Sequence, residues 1–568
     1  MLKRIWRLCQ MVWFIPLPQL LARGSTVLTR MFLGLTPSVI PRFILSYRCR
    51  TVTKCTDVPN SLFPGRCCSV MVDGNRITLE FFNTKRTVLL SSVWKEEFAG
   101  NCPSRLWAFQ LHSMEFLREV TDAMFLELVV GWINAYPAYT KSYWESSWSS
   151  FVVSIRCVVW LQELSRRKIT ISPDTERLIV DSLGEQIMFL SNNLEYDLKG
   201  NHIIKNIKAL LWGSYYFQGK ASEQWYCKAV NLLEIEMNSQ ILYDGVHFER
   251  SPSYHNQVLV DLMECSQVLV ACRLKAQLRT VINRMLEVSE NLAHPDCLPS
   301  LFNDGGLTMA YSAEKIIEAG KELGLVSGGR KRVFTFPVGG FTGSYFDGCY
   351  FVIDHGPIAP KTLPGHGHGD IFSFEMSVNG KRIVVDKGVF EYAQGRKRQQ
   401  SKSTLSHNTL NLDRKEQFEF WGQFRASRLP NVKADVSVVN EKILISGFHD
   451  GYKNLAGAPE HHRSFDVLKN EIIVCDWIEG GKGQIAEARI LFHPGCDIVI
   501  TKFGASIFRD DATVQLITTS PLKKIKTNWF PDLGLEQPCD QLVIYYGKGQ
   551  GPWKFCLSLQ KDNSTDSN

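Results

Sequence analysis

Two histidines one glycine apart stand in the stretch LPGHGHGDIFSF, residues 363–374, in a chain with 13 histidines among 568 residues. Side chains at i and i+2 of an extended segment face the same way, so His366 and His368 can serve one site. Asp386 closes the run RIVVDKG, and His407 stands in STLSHNTLNL, each beside a strand-like stretch. Two imidazoles and a carboxylate gathered on neighbouring strands make an N/N/O set suited to zinc. One histidine would remain beside that set, free for proton chemistry. The same residues also fit a glycine-rich turn with strand-capping side chains, and spacing alone weighs these readings about equally.

The elements that must position these residues fall into two textures. From about residue 105 to 325 apolar positions recur at helical spacing, as in WSSFVVSIRCVVWLQELSRR and HIIKNIKALLWGSYYF. SPDTERLIVDSLGEQIMFL opens on Ser-Pro with carboxylates in its first turn, a helix-start signature. A succession of similar helices with short loops predicts stacked antiparallel pairs, either a solenoid or a closed α/α toroid. After about residue 330 the runs are short and β-rich, among them GCYFVIDHG, EIIVCDWIEG and DQLVIYYG. Asn379-Gly380 between two alternating runs predicts a tight hairpin. A β-sandwich is the expected outcome. The organisation reads as a mixed segment over 1–100 that packs on the helical domain, a helical domain over 101–330 and a β-domain over 331–568.

Bulk properties narrow the class of partner. The composition, 45% apolar and 21% charged, is that of a globular protein. A net charge of +7 favours an anionic partner. The basic residues are dispersed, so an acidic polysaccharide fits better than nucleic acid. The 16 cysteines lack CxxC pairing, and the adjacent Cys67 and Cys68 form no disulfide framework. Such usage favours buried free thiols and a cytoplasmic setting, with the periplasm or cell envelope as the alternative. The N-terminus, MLKRIWRLCQMVWFIPLPQLLARG, is basic and then apolar. Pro16 and Pro18 interrupt it, so it reads neither as a clean signal peptide nor as a transmembrane segment. An amphipathic segment packed on the fold is expected, with membrane-surface contact as the other reading. Oligomeric state is not legible.

Several stretches, in order, resemble the heparinase II/III-like family of polysaccharide lyases: LWAFQLHSMEFL, LKGNHIIKNIKALLW, LYDGVHFERSPSYHNQ, LFNDGG and LPGHGHGDIFSFEM with VVDKG, STLSHNTL and WGQFR. The resemblance implies an α+β multidomain chain, an incomplete (α/α) toroid followed by an antiparallel β-sandwich. It implies β-elimination at a uronic acid. The C5 proton lies α to a carboxylate, so a base must take it, donors must neutralise the growing negative charge, and an acid should protonate the departing O4. By the resemblance Asn201 and His202 neutralise the carboxylate, although a helix cap is the plainer reading of that segment. Tyr254 is the acid for O4, with a second role as base left open, and His366 is the base. His368, Asp386 and His407 match the ligands of zinc-binding members, where the metal is structural more than catalytic. Glu249 and Arg250 share the Tyr254 signature and either orient the tyrosine or bind an acidic group, an ordinary ion pair being equally plausible. Tyr392 and Arg398 follow Asp386 and read as the edge of a substrate cleft. Glycines replace alanines expected between the histidines, a change that should loosen the turn. No expected polar catalytic position is lost, which argues against a pseudoenzyme. Two other readings stand beside the lyase: an accessory protein of cell-envelope polysaccharide biosynthesis, and a zinc hydrolase. The hydrolase ranks last because no glutamate base adjoins the histidines.

Overall fold

The computed structural model describes residues 15–35, 38–49, 52–63, 69–140, 142–169 and 171–559. Most of the basic N-terminal segment and the Cys67–Cys68 pair lie outside these residues. Two compact units emerge, one of Pro16–Gln240 with Gln257–Ile282, the other chiefly of Ile241–Asn256 with Asn283–Asn568.

The first unit is helical, an incomplete α/α toroid. Its long helices include Ser150–Arg167, Pro173–Asn192, Gly200–Tyr216 and Lys220–Gln240. The Ser-Pro start works as the sequence indicates: Ser172 Oγ accepts from Thr175 N at 3.3 Å, and Pro173 takes the first helical position. The long apolar run after residue 105 is broken where Met114 adopts a left-handed φ of 59°, so it forms Arg105–Ser113 and Asp122–Ala135 instead of one rod. Buried charges tie the helices together. Lys208 Nζ reaches Asp261 Oδ1 at 2.6 Å and Glu264 Oε2 at 2.8 Å, and Lys205 Nζ reaches Asp261 Oδ2 at 2.8 Å.

The second unit is antiparallel β. A five-stranded meander runs through Val333–Phe336, Phe341–Phe346, Cys349–Asp354, Phe374–Val378 and Lys381–Val384. An eight-stranded sheet and a four-stranded sheet complete the sandwich around a core that includes Phe351, Phe374, Phe465 and Ile490. The Glu460–Val467 strand shows the driving pattern, with every second side chain buried. Asn379 and Gly380 take φ of 50° and 76° at the expected hairpin, the two left-handed positions of a tight two-residue turn.

A boundary near residue 330 follows the change of texture, but the compact β unit takes in more chain. His294 Nε2 meets Glu375 Oε2 at 2.6 Å, Leu301 N donates to Glu375 Oε1 at 2.9 Å, and Arg250 Nε donates to Gly339 O at 3.2 Å. Long-range polar bonds of this kind leave no local periodicity in the sequence.

Candidate active site

Tyr254 lies in the first turn of the helix Pro252–Val268. Ser251 starts that turn: its Oγ accepts from Tyr254 N at 3.2 Å and donates to Asp304 O at 2.5 Å. One serine therefore fixes the tyrosine and the Asp304 backbone together. Asn303, with a left-handed φ of 60°, donates through Nδ2 to Arg250 O at 3.0 Å. Its Oδ1 accepts from His368 N at 3.0 Å, so the segment LFNDGG clamps the histidine loop.

Asp304 is the centre of the site. Its Oδ2 accepts from His366 Nδ1 at 2.8 Å, and its Oδ1 accepts from His368 Nε2 at 2.8 Å. Arg398 grips both oxygens, Nη2 to Oδ2 at 2.8 Å and Nη1 to Oδ1. Burial alone would raise this carboxyl, but Arg398 and the two histidines outweigh it and hold it well below the usual carboxylate range. His366 and His368 thus share one acceptor, Asp304. The two histidines then differ in surroundings: the His366 side chain is 16% exposed and the His368 side chain is fully buried.

Around His366 the aromatic groups gather. The Tyr254 ring lies 4.5 Å from the imidazole, Phe424 5.5 Å and Tyr392 6.3 Å, between ring centres. The Tyr254 and Tyr392 hydroxyls share a hydrogen bond of 2.9 Å. Burial, reinforced by Asp304 and Glu249, pushes the Tyr254 phenol far above its ordinary value, so it keeps its proton at neutral pH. Glu249 Oε2 stands 3.5 Å from His366 Nε2. Of the residues expected on sequence, Tyr254, His366, Glu249, Tyr392 and Arg398 thus form one cluster. Arg250 is placed otherwise. Its guanidinium is spent on the carbonyls of Phe248, Val338 and Gly339, and it holds backbone together.

Asn201 and His202 belong to the helical unit, in the first turn of Gly200–Tyr216. Lys199, not Asn201, occupies the cap position. His202 Nδ1 lies 3.1 Å from Glu195 Oε1, and its ring packs on Phe151 at 4.5 Å.

On the buried side, His368 Nδ1 and His407 Nε2 are enclosed without a hydrogen-bond partner. One ring nitrogen from each of these histidines and an Asp370 oxygen lie within 4.8 Å of one another. Asp386, expected as the carboxylate of this set, instead has both oxygens on His407 Nδ1, at 2.9 and 3.1 Å, and accepts from Ser373 Oγ and Lys387 N. It orients the imidazole, and Asp370 stands in the third place. Burial, with Asp386 close by, raises the Asp370 carboxyl to about 6, and burial with Asp370 raises Asp354 as well. Crowded buried carboxyls beside two unpartnered imidazole nitrogens are a donor set that fits a divalent cation.

The glycines of the histidine loop act by crowding, which corrects the expectation of a loosened turn. A Cβ on Gly367 would lie 2.3 Å from Ile358 Cγ2, and one on Gly369 would lie 2.3 Å from Thr404 Oγ1.

Residues 104–321 match the heparinase II/III N-terminus, and residues 328–557 match the heparinase II/III-like C-terminal domain. The chain belongs to the heparinase II/III-like family. Among curated relatives, the heparin-sulfate lyase of Bacteroides stercoris is 24% identical over 321 residues, 51% of this chain and 45% of that protein. The heparin-sulfate lyase of Bacteroides thetaiotaomicron is 26% identical over 183 residues, 32% of this chain and 26% of that protein. The heparinase II/III-like chain therefore spans less than half the length of these relatives. A crystal structure of heparinase III superposes with a TM-score of 0.68 at 17% identity, covering 93% of this chain and 90% of that one. A mutant heparan sulfate lyase from Pedobacter heparinus gives a TM-score of 0.60 at 16% identity, covering 83% and 78%. The toroid and sandwich of the heparinase II/III-like fold are thereby shown.

Asp304 and Asp370 are the functional candidates that sequence reading did not single out. LFNDGG is visible as a motif, but the partners of Asp304 lie 62, 64 and 94 residues away.

Proposed function

We propose that this protein is a polysaccharide lyase that cleaves an acidic, uronate-containing glycan of the glycosaminoglycan class by β-elimination. The observation that carries the reading is the Tyr254–His366 pair, two proton-transfer groups 4.5 Å apart with opposite anchoring. The Asp304 carboxylate accepts the hydrogen bond from His366 Nδ1–H, which leaves the Nε2 lone pair to accept the C5 proton. The electron pair released at C5 forms the C4–C5 double bond, and the C4–O4 bond breaks. Tyr254, kept protonated by burial and nearby carboxylates, gives its proton to the departing O4. The Tyr392 hydroxyl orients that phenol, and Arg398 keeps Asp304 ionised. No water enters the step.

His368, His407 and Asp370 would hold a zinc ion, with Asp386 fixing the His407 ring from behind. Zinc there would supply structural cross-linking of the loop. The elimination uses this chain's own side chains throughout.

The test is incubation with a panel of uronate glycans, including heparan and chondroitin types, followed by ultraviolet absorbance of the 4,5-unsaturated uronate. A rise with at least one glycan, lost in Tyr254→Phe, is expected. A flat trace across the panel would sink the reading.

A further inference from the structure

The helix Leu17–Leu35 is amphipathic with its faces reversed. Its polar side turns to the protein. Gln19 Nε2 donates to Asp197 O at 2.8 Å, Arg23 Nε donates to the same carbonyl at 3.3 Å, and the Arg30 guanidinium lies 5.6 Å from the Trp144 ring centre. Positions 19, 23 and 30 share one helical face at 100° per residue. On the opposite face Leu17, Leu21, Leu28 and Met31 are between 62% and 67% exposed. The helix Val39–Cys49 continues the pattern, with Val39, Ile40 and Ile44 exposed and Leu45 buried beneath them. An ordinary surface helix buries its apolar stripe in the core. Here that stripe is presented outward over two successive helices, which marks an interaction surface.

Charge selects the occupant. The first 56 residues contain nine Lys and Arg and no Asp or Glu. A second copy of the chain would bring two such uniformly basic stretches of sequence together, which opposes self-association. An acidic glycan would answer the charge but leave the leucines in water. Anionic phospholipid answers both: headgroups attract the cations, and the acyl boundary takes the apolar face of a helix lying in the interface plane. Neither helix enters as a span, because no helix among the described residues is long and apolar enough to cross a membrane.

We propose that the outward face of Leu17–Leu35 and Val39–Cys49 docks on a membrane surface containing anionic phospholipid. The helices lie flat, with Leu17, Leu21, Leu28 and Met31 at the acyl boundary. The attachment uses none of the residues placed in the elimination, so it stands or falls apart from the lyase reading.

The experiment is co-sedimentation of the full chain with vesicles of phosphatidylcholine alone or phosphatidylcholine mixed with phosphatidylglycerol. Binding to the mixed vesicles should exceed binding to the neutral ones by at least about tenfold at low salt and should weaken as salt rises. The triple variant Leu21→Glu, Leu28→Glu, Met31→Glu should lose that binding at unchanged Tm and unchanged rate on any soluble glycan the parent cleaves. A gentler variant with alanine at the same positions should lose part of it, which keeps the test sound if glutamate disturbs folding. Equal and weak binding to both vesicle types overturns the proposal, as does full binding by both variants. A dimer in light scattering that the triple variant turns into monomer also overturns it, because a second copy would then cover the face.

Discussion

Asp304 and Asp476 are both buried in the β unit, and each holds an arginine and histidine, yet their surroundings diverge. Asp476 accepts from Arg463 Nε at 2.7 Å and Nη2 at 2.9 Å, and from His461 Nε2 at 2.8 Å. Its histidine is fully buried and spends Nδ1 on His449 Nε2 at 3.0 Å. Asp304 holds Arg398 in the same two-pronged way, but its histidine His366 is partly open and faces a phenol. An Asp-His-Arg cluster is therefore no signature of catalysis by itself. Under the proposed elimination, access to the second imidazole nitrogen and what stands opposite it separate His366 from His461.

The largest expected effect sharpens this contrast at the phenol. Tyr254→Phe should lower kcat by about 10²–10⁴-fold with Tm unchanged, read from unsaturated product formation. Asp304→Asn and Asp476→Asn come next, and they test the comparison directly. Each leaves a buried guanidinium without its counter-charge and should cost about 3–5 kcal/mol in urea unfolding. Only Asp304→Asn should also reduce kcat per folded molecule. An equal loss of kcat in Asp476→Asn would break the distinction drawn between the clusters.

A smaller effect concerns pH. Although burial raises the Asp476 carboxyl, Arg463 and His461 outweigh it and push it down to about 2. A folded carboxyl that titrates below its unfolded value adds stability that is complete above the unfolded pKa. That stability, on the order of 2 kcal/mol, is lost as pH falls from about 4 through 2. Urea midpoints across this window should fall less steeply in Asp476→Asn than in the parent. The smallest expected effect is at the buried histidines. If His368, His407 and Asp370 hold zinc, chelation should remove bound metal measured by elemental analysis and lower Tm by a few degrees. His407→Ala should start with the metal already lost and show no further fall, and product should still form after chelation.

Much of this was legible in the sequence because it rests on local rules. Ser172-Pro173 starts a helix, Asn379-Gly380 turns a hairpin, and alternation such as Glu460–Val467 buries one face of a strand. The toroid and sandwich followed from the order of the family-like stretches, which also pointed to Tyr254 and His366 as candidates, while Tyr392 and Arg398 were legible only as a loop edge after Asp386. Asp304 stayed hidden because its importance is a count of distant donors, and nothing in LFNDGG announces three of them. The choice between Asp370 and Asp386 beside His407 is set by side-chain direction, which residue spacing does not encode. Arg250 looked available for an anion because its φ of 55° and its carbonyl partners are products of tertiary packing.

The crowded seats of Gly367 and Gly369 have a consequence for turnover. A methyl group on either glycine would collide with Ile358 or Thr404, so the loop packs closely against both residues, and that packing helps hold the two imidazoles in place as the chain folds. The entropy of ordering them is therefore met once, during folding, and is not charged again against each substrate that arrives.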